Sequence, residues 1–179
     1  RNTLVDRVTT WTSSDPDKVS VVGGLVTGVA LGTASITASS EGKSSSINIT
    51  VKDGGIIAPS GATFTAQSGA VAVTVPAGAV SQPTSLTVGP AANPPANARL
   101  LPGTAFDFGP PGATFAQPIS ITIKYDPATV AGDSPEGGLQ LYEVVGSAWR
   151  VVAGSTVDLT LKTATGATGH TGTFAVMMQ

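Results

Sequence analysis

Alternation of apolar with hydroxyl-bearing residues at a period of two constrains this chain more than any other feature, because that period belongs to half-buried strands. In "TASITAS", Ala34, Ile36 and Ala38 fall on one side, and Ser35, Thr37 and Ser39 on the other. Ile47, Ile49 and Val51 repeat the pattern, as do Val71, Val73 and Val75. "ISITIKY" does so through Ile119, Ile121, Ile123 and Tyr125, and "VDLTLK" through Val157, Leu159 and Leu161. Turn signals punctuate these runs: Asp15-Pro16, Gly23-Gly24, Gly54-Gly55, Pro110-Pro111-Gly112, Gly137-Gly138 and Gly166. No stretch carries a sustained helical period with a cap and a glycine stop. The chain therefore reads as all-β, built of antiparallel sandwiches.

A boundary is expected at "KDGG", Lys52–Gly55, where a strand ends and a glycine pair frees the backbone. This gives two tandem β-sandwich modules, residues 1–53 and 54–179. The first has roughly half the length of a complete immunoglobulin-type sandwich. Its expected core is Val8, Trp11, Val19, Val21, Leu25, Val26, Ile36, Ile47 and Ile49. The second core is expected from Val73, Val75, Leu86, Val88, Phe106, Phe108, Ile121, Ile123, Leu159, Leu161 and Phe174.

Composition narrows function by exclusion. Charged residues make up 11% of the chain and hydrophobic ones 41%, with a net charge of −2, so Ser and Thr do much of the solvating. There is no basic field for nucleic acid and no apolar run of membrane-spanning length. The absence of cysteine removes disulfides, thiolate zinc sites and cysteine nucleophiles together. The chain starts at Arg1 rather than Met, which suggests a processed product or an excerpt.

Residues 8–51 carry "WTSSDP", then "GLVTGVALGTASITA", then "NITV", and in that order they resemble the bacterial immunoglobulin-like group 2 family. The resemblance covers the later part of that fold and leaves its opening strands without a counterpart. Residues 55–125, with "VPAGAV" and "GPPGATFAQPI", resemble the ZU5 fold, a β-sandwich found in ankyrin-type, receptor and bacterial surface proteins. Together the resemblances imply an extracellular or cell-surface protein of bacterial type. Related metazoan proteins self-cleave at a His-Phe-Ser type motif. The equivalent stretch here is "HTGT", in which Thr171 and Gly172 follow His170, so no attacking oxygen stands in the nucleophile's place and no cleavage is expected.

In the second module Pro76 is expected to end a strand, and Pro118 to permit only an edge or first-strand position as "ISITIKY" begins. Gly146-Ser147 turns one of two closing hairpins, with Tyr142 and Trp149 near it. "PAANPPANARLLPG", Pro90–Gly103, is either a crossover or an arm that docks on a neighbour.

No group of residues converges on catalysis. His170, the single histidine, lies among threonines without a nucleophile elbow or an orienting acid, and reads as a polar residue in a loop before the last strand. Asp15 with Asp17, and Asp126 with Asp133, lack the dense alternating acids of a calcium loop, and Asp15 reads as a turn-former. Trp11 and Trp149 would each make a stacking platform for carbohydrate if exposed, but core positions are favoured for both. Asn48-Ile49-Thr50 is a formal glycosylation sequon whose Asn48 faces away from Ile47 and Ile49. No catalytic residue, cofactor site or metal site is therefore assigned.

The expected function is that of an extracellular structural subunit assembling head-to-tail with copies of itself. The rival reading is a stalk or adhesin segment that presents a ligand face, for instance to carbohydrate. If the first module lacks its opening strands, a neighbour's strand completes it, donated by "RNTLVDR", by Pro90–Gly103 or by "FAVMMQ". The termini are the favoured donors because they are free to leave their own module.

Overall fold

The computed structural model describes residues 8–130 and 136–179, which form antiparallel sheets with no α-helix among them. The chain divides into two compact units, Arg1–Lys52 and Asp53–Gln179. Asp133, one of the acids considered for calcium, lies outside the described residues, as does the "RNTLVDR" segment.

The first unit contains β1 (Thr10–Ser13), β2 (Val19–Val22), β3 (Leu25–Gly28), β4 (Gly32–Ser40) and β5 (Lys43–Val51). One layer is a three-stranded sheet in the order β1-β4-β5, and the other is the two-stranded hairpin β2-β3. Gly23 and Gly24 make the hairpin turn with φ of 58° and 86°, which glycine adopts without steric cost. Pairing Trp11↔Ala38, Ile36↔Ile47 and Ala34↔Ile49 puts the alternating apolar residues on one face. The opposite face carries Thr33, Ser35, Thr37 and Ser39 from β4 against Thr50, Asn48, Ser46 and Ser44 from β5. Hydroxyls on that face pair across the strands, Thr33 with Thr50 and Thr37 with Ser46, each at 2.8 Å.

The second unit is a complete sandwich. Its strands are β6 (Asp53–Ile57), β7 (Ala62–Ala66), β8 (Val71–Val75), β9 (Thr84–Pro90), β10 (Phe106–Gly109), β11 (Thr114–Lys124), β12 (Leu139–Val145), β13 (Ala148–Val151), β14 (Thr156–Asp158), β15 (Thr163–His170) and β16 (Thr173–Met178). A six-stranded sheet, β13-β12-β16-β10-β9-β6, faces a five-stranded one, β14-β15-β11-β8-β7. Val71, Val73, Val75, Ile119, Ile121 and Ile123 from one sheet meet Leu86, Val88, Phe106, Phe108, Leu141 and Phe174 from the other in a single core. Each such side chain contributes about 1.5–3 kcal/mol by leaving water.

Two expectations about this unit fail for local reasons. Leu159 and Leu161 are exposed, because "VDLTLK" is not one strand. The Asp158 carboxylate accepts hydrogen bonds from the backbone N–H of Thr160 (2.8 Å) and Leu161 (2.9 Å), turning the chain after β14. Pro118 lies inside β11 rather than at its start, but where pairing with β15 skips from Thr114 to Ile119 and no ladder donor is required. Pro76 does end β8, and Gly146-Ser147 does turn the β12–β13 hairpin.

Tyr125 continues the inward row of β11 and is buried. Its hydroxyl donates to Glu136 Oε2 at 2.9 Å, and Lys162 Nζ donates to the same oxygen at 2.8 Å. Burial, seconded by the carboxylate, pushes the phenol up to about 12 from the usual 10.0. The lysine's hydrogen bond, then the tyrosine's, hold Glu136 below the ordinary carboxylate range. Because the folded state keeps the phenolic proton longer, its stabilisation is complete below pH 10 and is lost as pH rises towards 12. Two pH units correspond to about 3 kcal/mol at most. Urea denaturation between pH 9 and 12 is expected to show this fall in the parent and a shallower one in Tyr125→Phe. Equal slopes would mean that the phenol does not titrate with folding.

Candidate assembly surface

Exposed apolar residues occur in both units, Ile56, Leu159 and Leu161 among those of the second, but the first leaves more of its apolar residues uncovered for its size. Its fully enclosed core is small: Val19, Ala34 and Ile36, with Val21, Ile49 and Val51 packed partly against them. Val8, Trp11, Leu25, Val26 and Ile47 were expected in that core and are instead exposed. Leu25 pairs with Val22 on the hairpin face turned away from the sheet, which is why both are in water. Ile47 is different. It shares the inner face with its register partner Ile36, yet Ile36 is 1% exposed and Ile47 62%.

The position of the hairpin explains the contrast. The β2 strand lies across β1 and β4, and the glycine turn comes close to the Trp11 ring, where a Cβ on Gly24 would stand 3.3 Å from the indole. The β3 strand reaches β5 at its far end, where a Cβ on Gly28 would stand 3.0 Å from Val51 Cγ2. Among the described residues nothing pairs with the other edge of β3, and the upper layer they form stops short of Ile47. A strand added on that edge would continue the layer over β5. Two-stranded layers are marginal in water, and a third strand is the usual remedy.

Among the described residues the outer edge of β5 is unpaired as well. Glu41 and Gly42, both at positive φ, form a two-residue turn between Ser40 and Lys43, so that flanking pair is hydrogen-bonded. Alternation from Lys43 then turns the main-chain groups of Ser45, Ile47, Ile49 and Val51 towards β4. Those of Ser44, Ser46, Asn48 and Thr50 point to the open side. From Ser44 to Val51 there is no charge, proline or glycine, the devices that ordinarily blunt an edge. The remaining terminal strands of the described sheets are three to five residues long, whereas β5 has nine.

The other candidate residues are placed as follows. His170 ends β15 rather than sitting in a loop. Its Nε2 is 3.3 Å from Glu143 Oε2, its Nδ1 is 3.2 Å from the Thr171 carbonyl, and its ring stacks on Phe174. Asp15 pairs with Lys18 at 2.6 Å, and that hydrogen bond lowers its pKa. Asp126 accepts from Ala128 N–H at 2.9 Å and starts a single 3-10 turn, Pro127–Thr129. Among the described residues, no group of three or more His, Asp or Glu side chains is placed to hold a metal. Asn48 is exposed on the hydroxyl-bearing face.

The proposed donors in the second unit are tied down. Trp149, half-buried, donates its Nε1–H to the Pro95 carbonyl at 2.8 Å, fastening the proline-rich crossover. Leu101 N–H donates to the Val176 carbonyl at 3.1 Å, and Met178 N–H to that of Arg99 at 3.0 Å. The buried Thr104 hydroxyl donates to Leu101 at 2.7 Å and accepts from Val176 N–H at 3.2 Å. "FAVMMQ" is not free: β16 runs between β12 and β10, with Phe174 to Met177 buried. An open cleft of about 640 Å³ on the five-stranded sheet is lined by Thr122, Thr156, Thr165 and the exposed Leu159 and Leu161, with Asp158 as its single titratable side chain. Among the described residues no helix is long and apolar enough to cross a membrane. No family model matches the chain, and no curated protein does.

Proposed function

We propose that the chain is a structural subunit of an extracellular, bacterial-type surface assembly, and that its first unit is the acceptor of a strand from a neighbouring copy. The observation that carries this reading is Ile47, exposed just beyond an upper layer that ends at the edge of β3, unpaired among the described residues. An added strand supplies main-chain partners to that edge and covers the isoleucine, so affinity comes from the backbone and register from alternate side chains. The resemblance of residues 8–51 to the later strands of a bacterial immunoglobulin-like domain, and of residues 55–125 to ZU5, supports the same reading. With "FAVMMQ" and Pro90–Gly103 held inside the second unit, residues 1–7 are the donor that remains of those considered. Contact between a donor on one copy and an acceptor on the next is head-to-tail, and where the rotation does not close it generates a filament.

Sedimentation velocity across a concentration series, with negative-stain microscopy of the same samples, tests this. The parent is expected to form polymer that grows with concentration. Ile47→Glu, which sets a charge where the added strand must lie, is expected to remain monomeric with unchanged far-UV circular dichroism. Monodisperse parent at every concentration, seen as single elongated particles, would favour a stalk instead.

A further inference from the structure

The open edge of β5 is separate from the gap beside β3, and its sequence is self-complementary. We propose that β5 pairs antiparallel with β5 of a second copy about a two-fold axis at Asn48, joining two three-stranded sheets into one. The proposal rests on the first unit being an assembly surface and adds a symmetric contact to the head-to-tail one.

Register arithmetic supports the second copy as occupant. The residues whose main-chain groups point outward are Ser44, Ser46, Asn48 and Thr50. With Asn48 opposite its own counterpart, Ser46 faces Thr50 of the other copy, and each such pair exchanges two main-chain hydrogen bonds. The same register sets Ile47 beside Ile49 of the other copy on the apolar face, where Ile47 is otherwise 62% exposed. Hydroxyls meet hydroxyls on the polar face. Charge is compatible too, since the paired run carries none, and Lys43 of one copy and Lys52 of the other project from opposite faces.

The area argues for a reversible contact. One pair of edge strands buries less than the roughly 1,200–2,000 Å² of a stable interface. The dimer is therefore concentration-dependent, and it acts by cross-linking filaments or by pairing subunits within them.

Asn48 at the axis permits a charge-reversal test. Asn48→Lys and Asn48→Asp each bring like charges face to face across the axis, and each alone is expected to weaken self-association several-fold in sedimentation equilibrium. An equimolar mixture places lysine opposite aspartate and is expected to restore association to the parent's level or beyond. Unchanged far-UV circular dichroism confirms the fold of each exposed-site variant. If the single variants associate as the parent does, or the mixture gains nothing over either alone, pairing at β5 is wrong. Polymer that forms in all of them while Ile47→Glu blocks it would leave the head-to-tail reading standing without the symmetric contact. A parent that stays monomeric at every concentration would remove both.

Discussion

Phe174→Ala is expected to destabilise the second unit by about 3–5 kcal/mol. Its ring is fully enclosed, packs edge-on against Phe108 with centroids 5.4 Å apart, and lies under the His170 imidazole. It also stands on β16, which has neighbours on both sides, so the surrounding strands have little freedom to close around the space left. The loss should appear as a lower urea midpoint with an unchanged slope. A loss under about 1 kcal/mol would mean that the sandwich relaxes around this position. Removing residues 174–179 altogether takes out a central strand and should prevent the unit from folding, the opposite of what an arm free to leave its module would do.

Gly54→Ala comes next in size, at about 3 kcal/mol. Gly54 has φ of 149°, and a Cβ there would stand 2.1 Å from the Leu86 carbonyl oxygen and 2.8 Å from Thr87 Cα. Both obstacles are backbone, so no side chain can swing aside. Relief requires β6 to pull away from β9, which breaks the Gly54↔Thr87 pairing and uncovers Ile57. Gly112→Ala is the control, since Gly112 also has positive φ, 74°, but nothing within 4 Å of a built Cβ. Its cost should be only the left-handed penalty, about 1 kcal/mol. Thermal or urea melts of the two variants should separate clearly, and equal midpoints would show that the close approach at Gly54 is absorbed without cost.

The all-β architecture was legible because period two is a direct imprint of the pleat, and Val73, Val75, Ile121 and Ile123 are buried as their alternation requires. What alternation cannot report is whether a second layer lies over the apolar face. Ile36 and Ile47 have the same local pattern and opposite burial, and the difference is the hairpin that covers one of them. Leu159 and Leu161 mislead for another reason. They alternate correctly, but the Asp158 carboxylate offers the backbone a turn that outcompetes the ladder. The signal was available in the aspartate two residues ahead of Thr160. Phe174 is buried as expected, but the central place of β16 had no local signal: an apolar end reads equally as a free arm and as a central strand until its neighbours are known. The exposed β5 edge was partly legible, since a run from Ser44 to Val51 without charge or proline is visible in the sequence. That this run lies at a sheet edge was not.

The hydroxyl-covered face of the β1-β4-β5 sheet has a consequence for how the protein meets its surroundings. Thr33, Ser35, Thr37, Ser39, Ser44, Ser46, Asn48 and Thr50 hold water through groups that neither titrate near neutrality nor gather counterions. Brine and mild acid, which screen or neutralise a lysine- and glutamate-coated surface, leave such a face as it was. With a net charge of only −2 on the whole chain, little long-range repulsion keeps copies apart. At neutral pH the face is thus wetted without being electrostatically shielded, and its hydration is indifferent to salinity.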